Sequence, residues 1–245
     1  MIKIKKDLLN ELIKILYRKK YLLLLMFIFF MSIAFALIGK FVNGLIDLYI
    51  SNFPVTVLSV LVTFILPLIV FMVTADVFTA EQENGTIKAI LTRPVSRIRI
   101  YISKFMAILI YSCMILLLGF ISSLACGIIL NSFMSISIGS TIVAYILSVF
   151  PLIPIIFFAI TISQISRSTS GTVMISVLTY ITIYVVTVIF PKTYPLSFTS
   201  YTSWYLLFIG SVIPVFNVLN IIVLFLAYSL IFFAISFWLF DKRQY

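Results

Sequence analysis

One short amphipathic stretch and six long apolar ones follow each other along this chain. Over residues 3–18, Leu8, Leu9, Leu12, Ile13, Ile15 and Leu16 recur at helical spacing, while Lys5, Lys6, Asp7, Asn10, Glu11 and Lys14 occupy the other faces. This periodicity predicts a basic amphipathic helix lying in the cytoplasmic membrane interface, either as a topology anchor or as an arm touching a cytoplasmic subunit. Apolar runs follow at about Tyr21–Ile38, Pro54–Ala75, Phe105–Leu130, Thr141–Ile162, Gly171–Phe190 and Val215–Phe240. Each is close to or above the roughly 20 residues with which a helix crosses hydrocarbon. The expected fold is an all-α integral membrane protein: six transmembrane helices, an N-terminal amphipathic interfacial helix, and a short cytoplasmic helix between spans two and three.

Breakers and small residues refine that outline. Pro67 falls inside the second run, and Pro151 and Pro154 inside the fourth. Each removes a backbone donor and is expected to bend its helix. Gly119, Ser123 and Gly127 recur every four residues in the third run, a stripe that permits close helix approach within or between subunits. The outer connections are expected at Gly39–Phe53, Asn131–Ser140 and Pro191–Pro214. The last holds Trp204, Tyr205, Leu206, Leu207, Phe208 and Ile209, apolar but too short to span, and is expected to be an interfacial or re-entrant segment.

Composition agrees: 63% of the residues are hydrophobic and 10% charged, against about 25% charged in a typical soluble domain. The first run follows a long basic segment and lacks a small-residue cleavage site, so a retained span is expected rather than a signal peptide. The net charge of +10 could suggest nucleic acid, but its placement argues against that. Fifteen basic residues lie before the first run, in the loops after the second and fourth, or at the end, and only Lys40 and Lys192 in the alternate loops. That asymmetry puts both termini in the cytoplasm, with the excess charge facing anionic lipid headgroups. Cys113 and Cys126, thirteen positions apart on one helix, point to nearly opposite sides, and the chain has no histidine. They read as small apolar helix residues, with no metal site expected.

The charged exception is residues 76–104, with three of the seven carboxylates and five of the seventeen basic residues. The second helix is expected to run past Asp76 towards Glu83, where Asn84-Gly85 breaks it. Thr86 can cap a short helix with Ile87, Ile90 and Leu91 on one face and Lys88 on another. Arg93-Pro94 ends it, and Ser96 can cap the third span, with Arg97, Arg99 and Lys104 near its start. Arginines at a helix N-terminus oppose the helix dipole, by a few tenths of a kcal/mol. This conflict points to a further demand, a lipid phosphate or a partner carboxylate.

The run E-Q-E-N-G-T-I-K-A-I-L-T-R-P-V-S-R, with a lysine seven positions on, resembles the first cytoplasmic loop of type-two ABC exporter permeases. The matching positions are Glu81 or Glu83, Gly85, Thr86, Arg93, Pro94, Ser96, Arg97 and Lys104. The stretch I-S-R-S-T-S-G-T after the fourth span is similar to that family's second cytoplasmic turn. The resemblance implies that Thr86–Thr92 is a coupling helix docking on a separate cytoplasmic ATP-binding subunit, with Glu81, Glu83 and the short helix passing its closure to spans two and three. It implies no cofactor on this chain, ATP and Mg being held by the partner. It further implies a second permease subunit, identical or related, and a prokaryotic plasma membrane location. The chain contains no G-x-x-x-x-G-K-[ST] phosphate-binding run, and no catalytic residue is expected.

Gln164, Asn217 and Asn220 are the polar candidates for lining a pathway, against a plainer role in interhelical hydrogen bonds. With no charged residue expected deep in a span, an amphipathic or hydrophobic cargo is favoured. A secondary transporter or channel, an intramembrane hydrolase and a non-transporting scaffold remain open alternatives. A mid-membrane carboxylate would favour the first, and a buried Ser–Lys or acid pair the second.

Overall fold

The structure, a computed structural model, describes residues 2–41, 53–85, 96–129, 138–209 and 214–242. Helix α1 (Ile2–Tyr17) meets α2 (Lys19–Phe41) in an elbow at Arg18. Helix α3 (Phe53–Glu83) is one continuous span, and α4 (Arg97–Ile129) the next. The fourth span is split into α5 (Ile138–Leu147) and α6 (Leu152–Ile165). After α7 (Thr169–Ile189), three 3-10 turns (Pro191–Leu196, Phe198–Tyr201 and Trp204–Phe208) lead to α8 (Val215–Lys242). Among the described residues, six helical segments are long and apolar enough to cross a membrane.

The helix boundaries follow local chemistry. Nothing breaks the helix between Ala75 and Glu83, so α3 carries the acidic residues outward before stopping at Gly85, whose φ of +67° suits glycine at a helix end. Within α3, two π-helical turns, Leu61–Ile65 and Ala75–Thr79, widen the spiral. The first directly precedes Pro67, whose ring would otherwise press on the Thr63 carbonyl. The disturbance expected at Pro67 takes this form, and the Tyr180 hydroxyl lies 3.5 Å from that carbonyl. Pro151 likewise cannot donate to the Leu147 carbonyl, which accepts instead from the Phe150 N–H at 3.2 Å and the Trp204 indole N–H at 3.0 Å. The split in span four and the position of the 3-10 segment thus share one cause.

Helix α6 is the packing centre, touching α3, α4, α7 and, most extensively, α8. Phe105 of α4 stacks on Phe157 of α6 at 4.3 Å between ring centroids, and Phe157 meets Phe233 of α8 edge-on at 5.6 Å. Phe198 of the 3-10 segment packs on Phe158 and Phe232. Since lipid is as apolar as leucine, such contacts hold by close packing rather than by exclusion of water.

The small-residue stripe of α4 makes contacts within this chain. Ser123 Oγ lies 3.1 Å from the Tyr145 hydroxyl, which donates to the Pro54 carbonyl at 3.2 Å. A Cβ at Gly119 would sit 2.5 Å from Leu61 Cδ1, in the first π turn of α3. Gly119→Ala is therefore expected to lower stability by about 1–3 kcal/mol in thermal unfolding of the detergent-solubilised protein. Adding Leu61→Ala should recover part of that loss; no recovery would mean that the α3–α4 contact is not the source.

Candidate functional site

At one end of the bundle, α1, α3 and α4 are tied together by a closed ring of four charged side chains. Lys14 Nζ lies 2.9 Å from Glu11 Oε1 and 3.2 Å from Glu81 Oε1. Lys104 Nζ lies 3.2 Å from Glu11 Oε2 and 2.7 Å from Glu81 Oε2. Each carboxylate thus bridges both ammonium groups, and the ring is neutral. Lys104 is 0% exposed, its third donor going to the Val77 carbonyl at 2.9 Å. An ammonium has three donors, so this buried cation is fully satisfied inside the chain. Lys14 is half-exposed and its pairs count for less.

The second π turn of α3 makes the ring possible. In a regular α-helix, residues five apart lie about 140° from one another. The turn at Ala75–Thr79, where the Ala80 N–H reaches back to the Ala75 carbonyl, brings Asp76 and Glu81 onto the side facing α1. Asp76 there clasps the elbow between α1 and α2: Arg18 Nη1 lies 2.7 Å from its Oδ2, with Lys20 Nζ and the Tyr21 hydroxyl on the same oxygen. The Tyr111 hydroxyl of α4 donates to the Tyr21 carbonyl at 2.9 Å.

The other side of the same segment faces α6 and α7. Thr79 Oγ1 lies 2.9 Å from Thr172 Oγ1 and 3.3 Å from the Ser163 carbonyl. Gln82 Nε2 donates to Gln164 Oε1 at 3.0 Å. Glu83 Oε2 accepts from the Thr169 N–H at 3.0 Å and from the Thr169 hydroxyl, while Ser168 Oγ takes the Gly171 N–H. Two of the four unpaired donors at the start of α7 are satisfied in this way, and a carboxylate sits at the positive end of its dipole. Arg99 pairs with Asp7 of α1 at 2.5 Å, and Arg97 reaches Asp241 and its carbonyl at the end of α8. The carboxylates demanded by these arginines are thus supplied within the chain.

Of the residues singled out from sequence, Glu81, Glu83, Arg97 and Lys104 belong to this hub, and Gly85 ends the helix that carries it. Thr86, Ile87, Ile90, Leu91, Arg93 and Pro94 lie outside the described residues. Gln164 is buried in the hub. Asn217 and Asn220 instead line a cavity of about 700 Å³ between α8 and the 3-10 segment. A second cavity, of about 770 Å³, lies between α3 and α7 and includes Ser59, Thr63, Thr187 and Thr202 in its wall. Among the described residues, neither cavity has a charged one in its lining.

Sequence reasoning passed over Glu11, Lys14, Asp7 and Arg18. A signal was present: positions 7, 11, 14 and 18 form one charged stripe at helical spacing. Lys104, expected near the start of a span, is fully buried and sits 5.7 Å from the Phe78 ring centroid. Among the described residues no cluster of histidine, cysteine and acidic side chains could hold a metal ion.

A family model described as "ABC-2 family transporter protein" matches residues 8–185, and the chain belongs to this family. With its six apolar spans, it is a multi-pass membrane protein. Two relatives, each named "Probable ABC transporter permease protein NosY", from Stutzerimonas stutzeri and Pseudomonas aeruginosa, are 30% identical to it over 106 residues. That stretch is 42% of this chain and spans only 38% of the length of each relative. The family match takes in the whole hub from Glu11 to Thr172 apart from Asp7 and Asp241, and it ends inside α7.

Burial alone would push the Glu11 carboxyl up, but Lys104 and Lys14 together outweigh it and hold it below the ordinary range. Lys14 is held above its ordinary range: burial lowers it, and Glu11 and Glu81 more than compensate. A depressed carboxylate stabilises the fold fully above its ordinary value of about 4.3 and loses that contribution as pH falls through the lowered one. A raised lysine contributes fully below about 10.4 and loses its share only above that. Thermal stability attributable to α1 docking should therefore be flat from about pH 5 to 10 and fall under stronger acid, with Glu11→Gln abolishing part of the acid-side fall. Lys104→Met leaves two facing carboxylates and should cost about 3–5 kcal/mol. Adding Glu11→Gln should cost less than the sum of the two single effects in a double-mutant cycle; additive losses would show that the ring does not act as a unit.

Proposed function

We propose that this chain is the membrane-spanning permease subunit of an ABC transporter, an exporter worked by a separate ATP-binding subunit. The observation that carries the reading is the hub. Residues 76–83 touch α1, α2, α4, α6 and α7 at once, and residues 97–104 continue the same network directly beyond segment 84–96. A displacement arriving at either end of that segment, at Glu83 or Arg97, passes directly to α7 or α8 through the contacts of those residues. Moving a two-state permease from 1:99 to 99:1 takes about 5.5 kcal/mol of differential binding. Nucleotide binding on the partner would provide that bias. The printed name of the relatives, a permease of an ABC transporter, agrees with this role.

In this reading the hub end faces the cytoplasm, as the basic excess favours, and α1 fastens the hub rather than meeting the partner through its charged stripe. ATP and Mg are held by the partner, whose contact is the short helix carrying Ile87, Ile90 and Leu91. Two permeases, identical or related, flank the pathway in a prokaryotic plasma membrane. The hydroxyl-rich cavity beside α3 and α7 suits an uncharged or amphipathic cargo. The chain itself performs no chemistry.

Tagged protein extracted gently should bring a soluble ATPase with it, and Ile87→Asp/Ile90→Asp should abolish that association while the thermal unfolding temperature stays within a few degrees. Unchanged association in the double variant, or transport in membranes that hold no ATPase, would overturn the proposal.

A further inference from the structure

The cavity between α8 and the 3-10 segment lies beyond the residues matched by the family model and shares nothing with the hub. Its wall on α8 is graded. Asn217 and Asn220, one turn apart near the start of the helix, are followed on the same face by Ile221 and Leu224. From 217 to 224 the helix rises about 10 Å, so the cavity is polar at one end and apolar deeper along the span.

Both asparagine side chains are exposed on α8, and neither bonds another of the described residues. Opposite them, Ser200 Oγ, also in the cavity wall, is buried without a partner. Amides without partners at the edge of hydrocarbon are costly, and two line this one space. With no charge among the described residues of the wall, an ionic headgroup gains nothing there, whereas a neutral group rich in hydroxyl or ester oxygens could satisfy both amides.

We propose that this cavity is a lateral binding site for a neutral single-chain amphiphile drawn from the adjoining leaflet. Its polar head bonds Asn217 and Asn220, and its chain lies along Ile221 and Leu224. Trp204 closes the back of the site, held there by its indole hydrogen bond to Leu147. The site needs no ATP-binding partner and stands apart from the proposed coupling role.

Trp204 also reports on it. The other tryptophan, Trp238, lies towards the far end of α8 beside Lys242, so Trp238→Phe leaves a single reporter at the cavity. In nanodiscs of unlabelled phosphatidylcholine, a monoacylglycerol with a brominated chain should quench Trp204 with a saturable dependence on its mole fraction. Asn217→Leu/Asn220→Leu in that background should weaken apparent affinity about tenfold or more, the loss of two hydrogen bonds of about 1 kcal/mol each. Ser203→Phe, which fills the cavity while keeping both amides, should also remove saturation. Three results would overturn the assignment. Quenching could rise without saturating, as for bulk lipid. It could saturate equally in the asparagine variant. It could be absent, with that variant shifting the oligomeric state, which would make the face a contact between copies of this chain.

Discussion

A lysine ammonium with no exposure to solvent must find three acceptors inside the protein, and the charged end of this molecule is organised around meeting that demand. Lys104 takes one oxygen from Glu11, one from Glu81 and the Val77 carbonyl. Those three acceptors come from α1 and α3, so the cation fixes where both helices stand relative to α4. Such an ion cluster is weak as a source of net stability, because desolvation offsets most of its Coulomb gain. Its value lies in specificity: few arrangements of α1 and α3 leave the ammonium paired, and a displaced α1 leaves it bare.

The π turn at Ala75–Thr79 is the backbone counterpart of that constraint. It places Asp76 and Glu81 towards α1 while Thr79, Gln82 and Glu83 remain towards α6 and α7. About two turns of helix therefore address both halves of the bundle. That arrangement connects structure to the proposed role. A coupling segment is useful only if its displacement is shared among the spans, and here the shared element is the end of α3. The far end has the opposite character, with short 3-10 turns, hydroxyl-lined space and a tryptophan bonded to a carbonyl released by a proline.

The six spans were legible because hydrocarbon demands long apolar runs and basic residues punctuate them. The helix stop at Asn84-Gly85 was legible because a positive φ favours glycine. The ring was not. Asp7, Glu11 and Lys14 were read as the wet faces of an interfacial helix, although the stripe they share with Arg18 hinted at a shared partner. Matching that stripe to Asp76, Glu81, Arg99 and Lys104 requires knowing that distant segments meet, and it requires the π turn, which a 100° periodicity misplaces. Gln164 makes an interhelical hydrogen bond of the kind weighed for it, but its partner Gln82 was not legible, since a lone polar residue near a span end does not disclose which helix it faces. The break in span four was foreseen as a bend at Pro151, but the indole that takes up the freed carbonyl lies 57 positions away in sequence.

The central claim is that α1, the end of α3 and the start of α4 move as one body. It is tested most directly by pulsed dipolar spectroscopy with spin labels at Ile13 and Ile102, exposed positions on α1 and α4, in the complex with the proposed ATP-binding partner. The account predicts one narrow distance distribution that stays unchanged between nucleotide-free and nucleotide-trapped states. A distribution that shifts or broadens on trapping would show α1 leaving the hub and would contradict it.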